Sequence, residues 1–308
     1  MASHNAEVSS LEGVALVEEA TKIIENSPIR PRDSHGRPGG LVEFPASLRP
    51  IIIGDLHTNL DNLKKILHHE TNYEEVTANK AAYIVVGDAV HDDQTGRMKD
   101  MTSSLVMLEE IFRLIIAFPE NFLYLRGNHD TFDARLVKSG IAQGKEFRLK
   151  LLEARSAEYV EAVEKFFDAL PYFIIGDGFV ITHAGPPRGG CTKQQLIDVL
   201  DRPDLMQQLT WNRINEFHGT PSSREYGERD IRAMLECLSL PEFTHFIVGH
   251  NLINDGNKTG CWMNVIGVKN HHILYSGTAS QAPYLTFQNG ELVLKTAQVK
   301  TPEVYYYG

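Results

Sequence analysis

The feature that most constrains the fold is a series of short apolar runs, each closed by a glycine and a polar residue. Three of them read "IIIGD", "IVVGD" and "LYLRGNHD" and begin at Ile51, Ile84 and Leu123. Continuous apolar runs of this length are typical of strands buried on both faces. Helical patterns at residues 58–69 and 101–118 separate the runs. Strands that alternate with helices predict βαβ units and a largely parallel sheet.

The second half of the chain has a different pattern. The stretch "YFIIGDGFVITH", which begins at Tyr172, predicts a hairpin with its turn at residues 176–178. The last three apolar runs, within residues 261–294, predict a closing antiparallel meander. We therefore predict an α/β fold in which two packed mixed β-sheets are flanked by helices.

The domain organisation predicted from this pattern is simple, because the chain has no internal repeat and no low-complexity linker. Apolar residues at helical spacing within residues 11–25 predict an amphipathic helix, and a connector rich in Pro, Gly and Arg follows it. We predict that residues 1–49 pack as this helix and connector on a main domain that spans residues 50–308.

Composition excludes several classes of protein. The 308 residues carry a net charge of -10, and such an acidic field disfavours a nucleic-acid partner and a nuclease function. The three cysteines form no CxxC pair, which indicates reduced thiols and a cytoplasmic protein. The N-terminus lacks the pattern of a secretory signal, and no apolar run is long enough to span a bilayer, so we predict no membrane association.

Polar side chains follow five of the predicted strands at their carboxyl ends. In open α/β sheets this edge is where ligands bind, because side chains that are remote in sequence converge there. A single Gly-Asp or His at a strand end is usually a turn or an ordinary core residue. Turns do not require imidazole, however, and imidazole occurs after four of these strands. We therefore predict one site built from the following residues: Asp55, His57, Asp88, Asn128, His129, His183 and His250.

The types of side chain in this set predict a metal centre. Imidazole, carboxylate and amide oxygen together suit Mn, Fe or Zn and disfavour Ca. The ligands are too many for one four-coordinate zinc, so we predict two divalent transition-metal ions, with Mn first and Fe or Zn as alternatives. Asp88 is the natural bridge, because one carboxylate offers two oxygens. Two such ions retain a positive charge that attracts phosphate, and they acidify bound water.

With these residues, the sequence resembles the calcineurin-like metallophosphoesterases, and within them the phosphoprotein phosphatase branch. The family pattern stands here as "GDLH", "GDAV", "GNHD", "THAG" and "VGHN", between about Ile51 and Gly256. The stretches "LRGNHD", "LTWN" and "GHNLINDG" resemble the phosphoprotein phosphatase branch in particular. The resemblance implies a double β-sheet sandwich flanked by helices, with residues 50–308 as the catalytic domain.

The resemblance also implies a role for each site residue. One ion would be held by Asp55, His57 and Asp88. The second ion would share Asp88 and be held in addition by Asn128, His183 and His250. His129 would be the general acid that protonates the leaving group. A phosphomonoester would be hydrolysed by attack of metal-bound hydroxide.

The chain departs from the phosphoprotein phosphatase pattern GDxVDRG, because it reads "GDAVHDDQTG". His91 stands where the family has the Asp that orients the catalytic His, and Asp92 stands where it has a phosphate-binding Arg. We expect Asp92 or Asp93 to orient His129 instead. We expect another arginine to bind the phosphate in place of the missing one, since the two ends of a guanidinium can bind two phosphate oxygens at once. The candidates are Arg126, Arg188, Arg97 and Arg213, of which we favour Arg126 and Arg188.

The substrate remains open between several classes. We predict a phosphorylated protein, at Ser/Thr or Tyr, or a small phosphoester. The alternative is a bis-nucleoside tetraphosphatase or another nucleotide phosphohydrolase, which "GNHD" and "HAGPP" also resemble. A non-catalytic binding module is disfavoured by the intact ligand set and His129. No Arg closes a loop after any cysteine and no GxxxxGK[ST] motif occurs, which excludes a cysteine phosphatase and a P-loop enzyme.

Overall fold

The computed structural model describes residues 12–92, 101–138, 140–217, 220–253, 259–277 and 281–298. The helices in these ranges are α1 Gly13–Glu25, α2 Leu60–Leu67, α3 Asn72–Thr77, α4 Thr102–Ala117, α5 Gln143–Ala154, α6 Ala157–Ala169, α7 Lys193–Ile197, α8 Pro203–Trp211 and α9 Glu228–Cys237. The strands are β1 Leu41–Glu43, β2 Arg49–Ile53, β3 Ala81–Val85, β4 Phe122–Tyr124, β5 Val137–Lys138, β6 Ile141–Ala142, β7 Phe173–Gly176, β8 Phe179–Thr182, β9 Arg213–Ile214, β10 Glu225–Tyr226, β11 His245–Val248, β12 Cys261–Met263, β13 His271–Leu274, β14 Ala282–Gln288 and β15 Glu291–Ala297.

Two large mixed sheets form the centre of the fold. The first has the strand order β15-β14-β2-β3-β4, in which β2, β3 and β4 are parallel and β14 is antiparallel to both of its neighbours. The second has the order β1-β7-β8-β11-β13-β12. Its inner strands β8, β11 and β13 are parallel, and the predicted hairpin of β7 and β8 is present.

The apolar residues separate into three layers, and this confirms the predicted sandwich. Ile51 and Ile53 of β2 face the helices α1 to α6, whereas Ile52 between them faces the other sheet. Ile247 of β11 and Leu274 of β13 belong to the same inter-sheet layer. A third cluster lies between the second sheet and helices α7 to α9. Because successive strand residues point to opposite faces, each unbroken apolar run serves two layers at once.

Capping residues account for several helix boundaries. Asn59 is the N-cap of α2, and its side chain accepts a hydrogen bond from the amide of Asn62. Residues 143–169 form two helices rather than one, because Ser156 caps the start of α6. Thr192 and Gln195 form a capping box at the start of α7.

The prediction of a closing antiparallel meander is wrong. β12 and β13 are antiparallel to each other, but they join the second sheet, where β13 lies parallel to β11. β14 and β15 form a separate antiparallel hairpin on the edge of the first sheet. Chain order alone does not reveal this split, because each sheet offers an open edge with unpaired backbone groups to an apolar strand.

The N-terminal segment packs on the first sheet's helical face. Leu16 and Val17 of α1 are fully buried in the same cluster as α4 and α6. The guanidinium of Arg30, itself buried, donates hydrogen bonds to the carbonyls of Ile24, Gly39 and Ala169. The division at residue 49 stays a prediction. Within the described ranges, no helix combines the length and the apolarity needed to cross a bilayer.

Candidate metal centre

The predicted site residues lie just beyond the carboxyl ends of five strands, three in the first sheet and two in the second. Asp55 and His57 follow β2, and Asp88 follows β3. Asn128 and His129 follow β4, His183 follows β8 and His250 follows β11. Since β2, β3 and β4 are parallel and β8 and β11 are parallel, each sheet presents these ends at one edge.

Two groups of ligand atoms meet at this edge, and they share one carboxylate. Asp55, His57 and Asp88 form the first group, and Asp88, His183 and His250 form the second. Within each group the ligand atoms lie within 4.8 Å of one another. The amide oxygen of Asn128 lies 3.0 Å from His183 Nε2, which places it beside the second group. The structure therefore brings all six predicted metal ligands together, with Asp88 common to both groups.

Backbone carbonyls orient two of the imidazoles for this arrangement. His57 Nδ1 lies 3.1 Å from the carbonyl of Val90 and 2.9 Å from that of His91. His183 Nδ1 lies 2.9 Å from the carbonyl of Val86. A carbonyl only accepts, so each Nδ1 carries a proton and each Nε2 is the nitrogen directed to the centre, where a metal ion would take the place of any proton on it. This is the tautomer that a metal ligand needs.

The buried carboxylates of the centre require a compensating positive charge. Asp55 and Asp88 are each 1% exposed, and their ion-pair partners among the described residues are histidines. Burial raises the pKa of Asp55 to about 6, and the negative charge of Asp88 adds to this effect. Burial opposes protonation of His183, yet the charge and hydrogen bond of Asp88 raise its pKa to about 9. Buried carboxylates are stable only when they are paired, so divalent cations fit this site.

His250 provides a further fit to a metal ion. Its Nε2 is buried and has no hydrogen-bond partner in the described structure. Burial lowers the pKa of His250 well below its usual range, so the ring is neutral and has a lone pair available. A buried polar atom left unpaired costs about 1–3 kcal/mol, which coordination of an ion would remove.

The backbone around the centre is strained. Left-handed backbone conformations are rare for residues other than glycine and cost of order 1–3 kcal/mol each. Five non-glycine residues adopt positive φ angles in the loops that form the centre: His57 at 42°, Thr58 at 66°, Asp88 at 50°, His91 at 67° and His250 at 63°. Strain of this kind collects at functional sites because it places side chains that a relaxed loop would not.

Glycine precedes the ligands because the loops approach one another closely. A Cβ at Gly127 would overlap Asp88 Oδ1, and a Cβ at Gly249 would overlap Asp55 Oδ1. Neither glycine has a positive φ, so the requirement is for space rather than for an unusual backbone. The space lets backbone amides reach the carboxylates, as His129 N–H does to Asp88 Oδ1 at 2.8 Å.

A family model described as calcineurin-like phosphoesterase matches residues 48–254. The chain belongs to this family. Its members are binuclear metal enzymes that hydrolyse phosphoesters, so the predicted family, enzyme class and metal dependence are confirmed at this level. No curated protein matches the chain.

Solved structures agree with the calcineurin-like phosphoesterase fold. A protein serine/threonine phosphatase from Saccharomyces cerevisiae with similarity to human phosphatase PP5 has a TM-score of 0.67 at 17% identity, covering 97% of this chain and 92% of that one. A cold-active protein-tyrosine phosphatase of a psychrophile Shewanella sp. has a TM-score of 0.53 at 13% identity, covering 90% and 84%. A putative diadenosine tetraphosphatase has a TM-score of 0.42 at 16% identity, covering 84% and 99%. At these identities the likeness of the serine/threonine phosphatase and of the protein-tyrosine phosphatase, whose TM-scores exceed 0.5, concerns the fold alone.

Within this calcineurin-like centre, His129 lies at the side of the shared carboxylate. Its Nε2 is 4.0 Å from Asp88 Oδ2, and its ring is perpendicular to that of His57 at a centroid distance of 5.1 Å. Its other nitrogen, Nδ1, lies 2.8 Å from Nδ1 of His91. The partner of His129 is therefore an imidazole. Orientation by Asp92 stays a prediction, and Asp93 lies outside the described residues.

Asp130 and Tyr124 form a supporting layer that the sequence reading did not assign. Asp130 is fully buried, and it accepts hydrogen bonds from the backbone amides of Gly127 and Asp88 and from the hydroxyl of Tyr124. Burial and the charge of Asp88 raise the pKa of Asp130 to about 6. The available signal was an acid placed directly after the "GNH" triplet.

The candidate arginines occupy different environments. Arg126 pairs with Asp168 at 3.3 Å and lies over the ring of Phe167. Arg188 donates hydrogen bonds to two backbone carbonyls, those of residues 221 and 222. Arg213 donates to the carbonyl of His250, a ligand of the candidate centre, at 3.1 Å. Arg97 lies outside the described residues.

Proposed function

We propose that this calcineurin-like phosphoesterase is a binuclear metal-dependent phosphatase that hydrolyses phosphomonoesters, with phosphoproteins as its first substrate class. One observation carries the proposal: a single buried carboxylate, Asp88, belongs to two ligand groups and also lies beside His129. A shared carboxylate suits two adjacent cations, and the neighbouring imidazole suits a proton donor.

The ligand sets follow from the two groups. Asp55, His57 and Asp88 would hold one ion, and Asp88, Asn128, His183 and His250 would hold the other. When bound, the two ions would neutralise charge on the phosphate and activate water as the nucleophile. The donor set of nitrogen and oxygen favours Mn, with Fe or Zn as alternatives.

His129 would act as the general acid. Its Nε2 borders the centre while its Nδ1 is held by His91, so one nitrogen remains directed toward a bound ester. Burial lowers the pKa of His129 well below its usual range, and the charge of Asp88 opposes this shift. A phosphate dianion bound alongside would add negative charge and so favour the protonated ring that the leaving group requires.

Among the candidate arginines, we propose Arg213 as the one that binds the phosphate. Its guanidinium donates to the carbonyl of His250 and to Asn251 Oδ1, which fixes it at the rim of the centre. Burial lowers the pKa of Arg213, whereas the carboxylates of Asp55 and Asp88 raise it, so the guanidinium lies within their field. Arg126 and Arg188 remain candidates, but the groups that they bind, Asp168 and the carbonyls of residues 221 and 222, do not belong to the candidate centre.

The phosphoprotein class has two lines of support. The sequence around the centre resembles the phosphoprotein phosphatase branch, through "LRGNHD" and "LTWN". The yeast protein serine/threonine phosphatase covers almost the whole chain at a TM-score of 0.67, and this likeness in fold supports phosphoproteins as the first substrates to assay. The nucleotide phosphohydrolase alternative depends on sequence likeness alone.

A substrate panel tests the proposal. The purified protein, loaded with Mn, would be assayed on phosphoserine, phosphothreonine and phosphotyrosine peptides and on diadenosine tetraphosphate, and chelator-treated protein would be the control. We expect release of phosphate from at least one peptide, with loss of that activity on chelation and recovery on return of the metal. Hydrolysis of the dinucleotide alone would replace the phosphoprotein proposal with the nucleotide alternative.

A further inference from the structure

His91 connects the two functional parts of the candidate centre. Its ring nitrogen Nδ1 lies 2.8 Å from Nδ1 of His129, and its carbonyl accepts from Nδ1 of His57 at 2.9 Å. Its amide donates to Ser104 Oγ at 2.9 Å, in the first turn of α4. One residue therefore contacts the candidate acid, a candidate metal ligand and a helix.

The position of His91 is tightly determined. The residue is 0% exposed, and its backbone has a φ of 67°. Its ring packs edge-on against Phe147 of α5 at a centroid distance of 5.3 Å. A strained backbone and a packed ring leave the imidazole little freedom to rotate, so its Nδ1 is a fixed point for its partner.

We propose that His91 is a positioning residue that holds the ring of His129 in place for proton transfer through an imidazole–imidazole hydrogen bond. The inference rests on the proposed function and deepens it, because it assigns the contact that aims the acid. It also changes the expectation from sequence, in which a carboxylate from Asp92 or Asp93 had that task.

The hydrogen-bond pattern supports this role. Two neutral or singly charged imidazoles 2.8 Å apart share one proton between their Nδ1 atoms. When His129 has protons on both nitrogens, as a general acid must, its Nδ1–H donates and His91 Nδ1 accepts. His91 then has its own proton on Nε2. The pair leaves His129 Nε2–H directed away from His91, toward the side of Asp88.

A double-mutant cycle tests whether His91 acts through His129. His91→Asn is the main variant, because Asn tolerates the left-handed backbone better than most residues do. We expect it to lower kcat on phenyl phosphate by between about 10-fold and 100-fold, as misplacement of a catalytic group does, with KM little changed. The rate on p-nitrophenyl phosphate, which needs less acid assistance, is expected to fall much less.

The second arm of the cycle uses His129→Asn as the background. If His91 works only by aiming His129, adding His91→Asn to that variant changes the phenyl phosphate rate by less than about 2-fold. An equal loss in both backgrounds would overturn the proposal, since His91 would then act on stability or on the metals. His91→Asp, which offers an acceptor to the Nδ1–H of His129, is expected to retain more activity than His91→Ala.

Two controls separate positioning from folding. His69→Asn removes an imidazole outside the candidate centre that also has a side-chain partner, the hydroxyl of Tyr284 at 2.9 Å, and is expected to leave the ratio of the two substrate rates unchanged. Metal content is measured for each variant, and equal content is expected in His91→Asn and the unsubstituted protein. Loss of metal from His91→Asn would overturn a role confined to His129.

A measurement without substrate distinguishes this inference from the proposed function. Long-range ¹H–¹⁵N NMR of the metal-free protein reports which nitrogen of each imidazole carries a proton. We expect one tautomer for His129 in the unsubstituted protein and a mixture in His91→Ala. Unchanged His129 signals would overturn the positioning contact. Absence of phosphatase activity from the unsubstituted protein would instead overturn the proposed function.

Discussion

Asp88 is the residue on which the candidate centre depends most. Burial alone would raise the pKa of Asp88, but the charges of His183 and His129 lower it well below its usual value, so the group is ionised. The Asp88 carboxylate also accepts a hydrogen bond from the backbone amide of His129, and the backbone amide of Asp88 donates one to the carboxylate of Asp130. The carboxylate thus combines a charge that the ions need with contacts that fix the neighbouring loop.

Asp88→Asn is expected to abolish most metal binding and to reduce phosphatase activity by more than about 100-fold, because an amide has no charge to balance two cations. Metal content by mass spectrometry and phosphate release would be measured together. Asp177→Asn is a matched control, since Asp177 also follows a glycine at the end of a strand but lies in the β7–β8 turn. Full metal content in Asp88→Asn would contradict the bridging assignment.

His129→Asn separates proton transfer from metal binding. We expect the variant to keep its metals and to slow hydrolysis of phenyl phosphate by about 10²–10⁴-fold, the usual contribution of a general acid. Hydrolysis of p-nitrophenyl phosphate is expected to slow much less, because its leaving group needs little protonation. Equal losses on the two substrates would show that His129 has another task.

At the scale of elements, the centre depends on loops that follow parallel strands and on the helices that hold those loops. The loop after β3 carries Asp88 and His91 and is fixed at Ser104 of α4. The loop after β4 is fixed to it through Asp130. Because Asp88 and His91 adopt positive φ angles, the geometry of the loop after β3 is set by the packed elements that it contacts rather than by its own sequence.

The N-terminal element is joined to the rest of the fold by Arg30. Arg30→Ala is expected to lower the free energy of unfolding by roughly 2–4 kcal/mol, because it leaves the carbonyls of Ile24, Gly39 and Ala169 without their donor in a buried site. Denaturant unfolding would measure the change. Arg135→Ala removes an exposed arginine whose ion-pair partner among the described residues is Asp133, and it is expected to have little effect. Equal stability of the two variants would contradict the anchoring role.

At the scale of the whole molecule, buried neutral histidines make the fold sensitive to acid. His271 lies in the centre of the second sheet, where its ring contacts the hydroxyl of Tyr226 and the carbonyl of Phe246. Burial lowers the pKa of His271 from 6.5 to about 4. The unfolded chain therefore binds a proton between these values while the native protein does not.

This difference predicts a loss of stability as the pH falls from 6.5 to about 4. The loss of unfolding free energy that His271 causes is absent above pH 6.5 and reaches about 3 kcal/mol at a pH of about 4. Unfolding by denaturant at a series of pH values would measure it, and His271→Asn is expected to have a flatter pH dependence. His35→Gln, which removes an exposed histidine, is the control. A slope unchanged by His271→Asn would contradict the prediction.

Local patterns determined much of what could be predicted. Unbroken apolar runs such as Ile51–Ile53 identified the strands, and the helical pattern at residues 58–69 identified α2. The polar residues after the strands identified the six predicted ligands that the structure brings together, because parallel strands place their carboxyl ends at one edge. These features depend on short-range chemistry and on a general rule of sheet geometry, so the sequence by itself was sufficient.

Which strands pair with one another, and which side chains are in contact, was determined only by the tertiary structure. β13 lies parallel to β11 in one sheet while β14 joins the other, although both follow similar apolar patterns. His129 has an imidazole partner in His91, and Arg213 contacts His250 while Arg126 and Arg188 contact other groups. Contacts between residues remote in sequence depend on how whole layers pack, and that information is spread over the chain rather than written in any one segment.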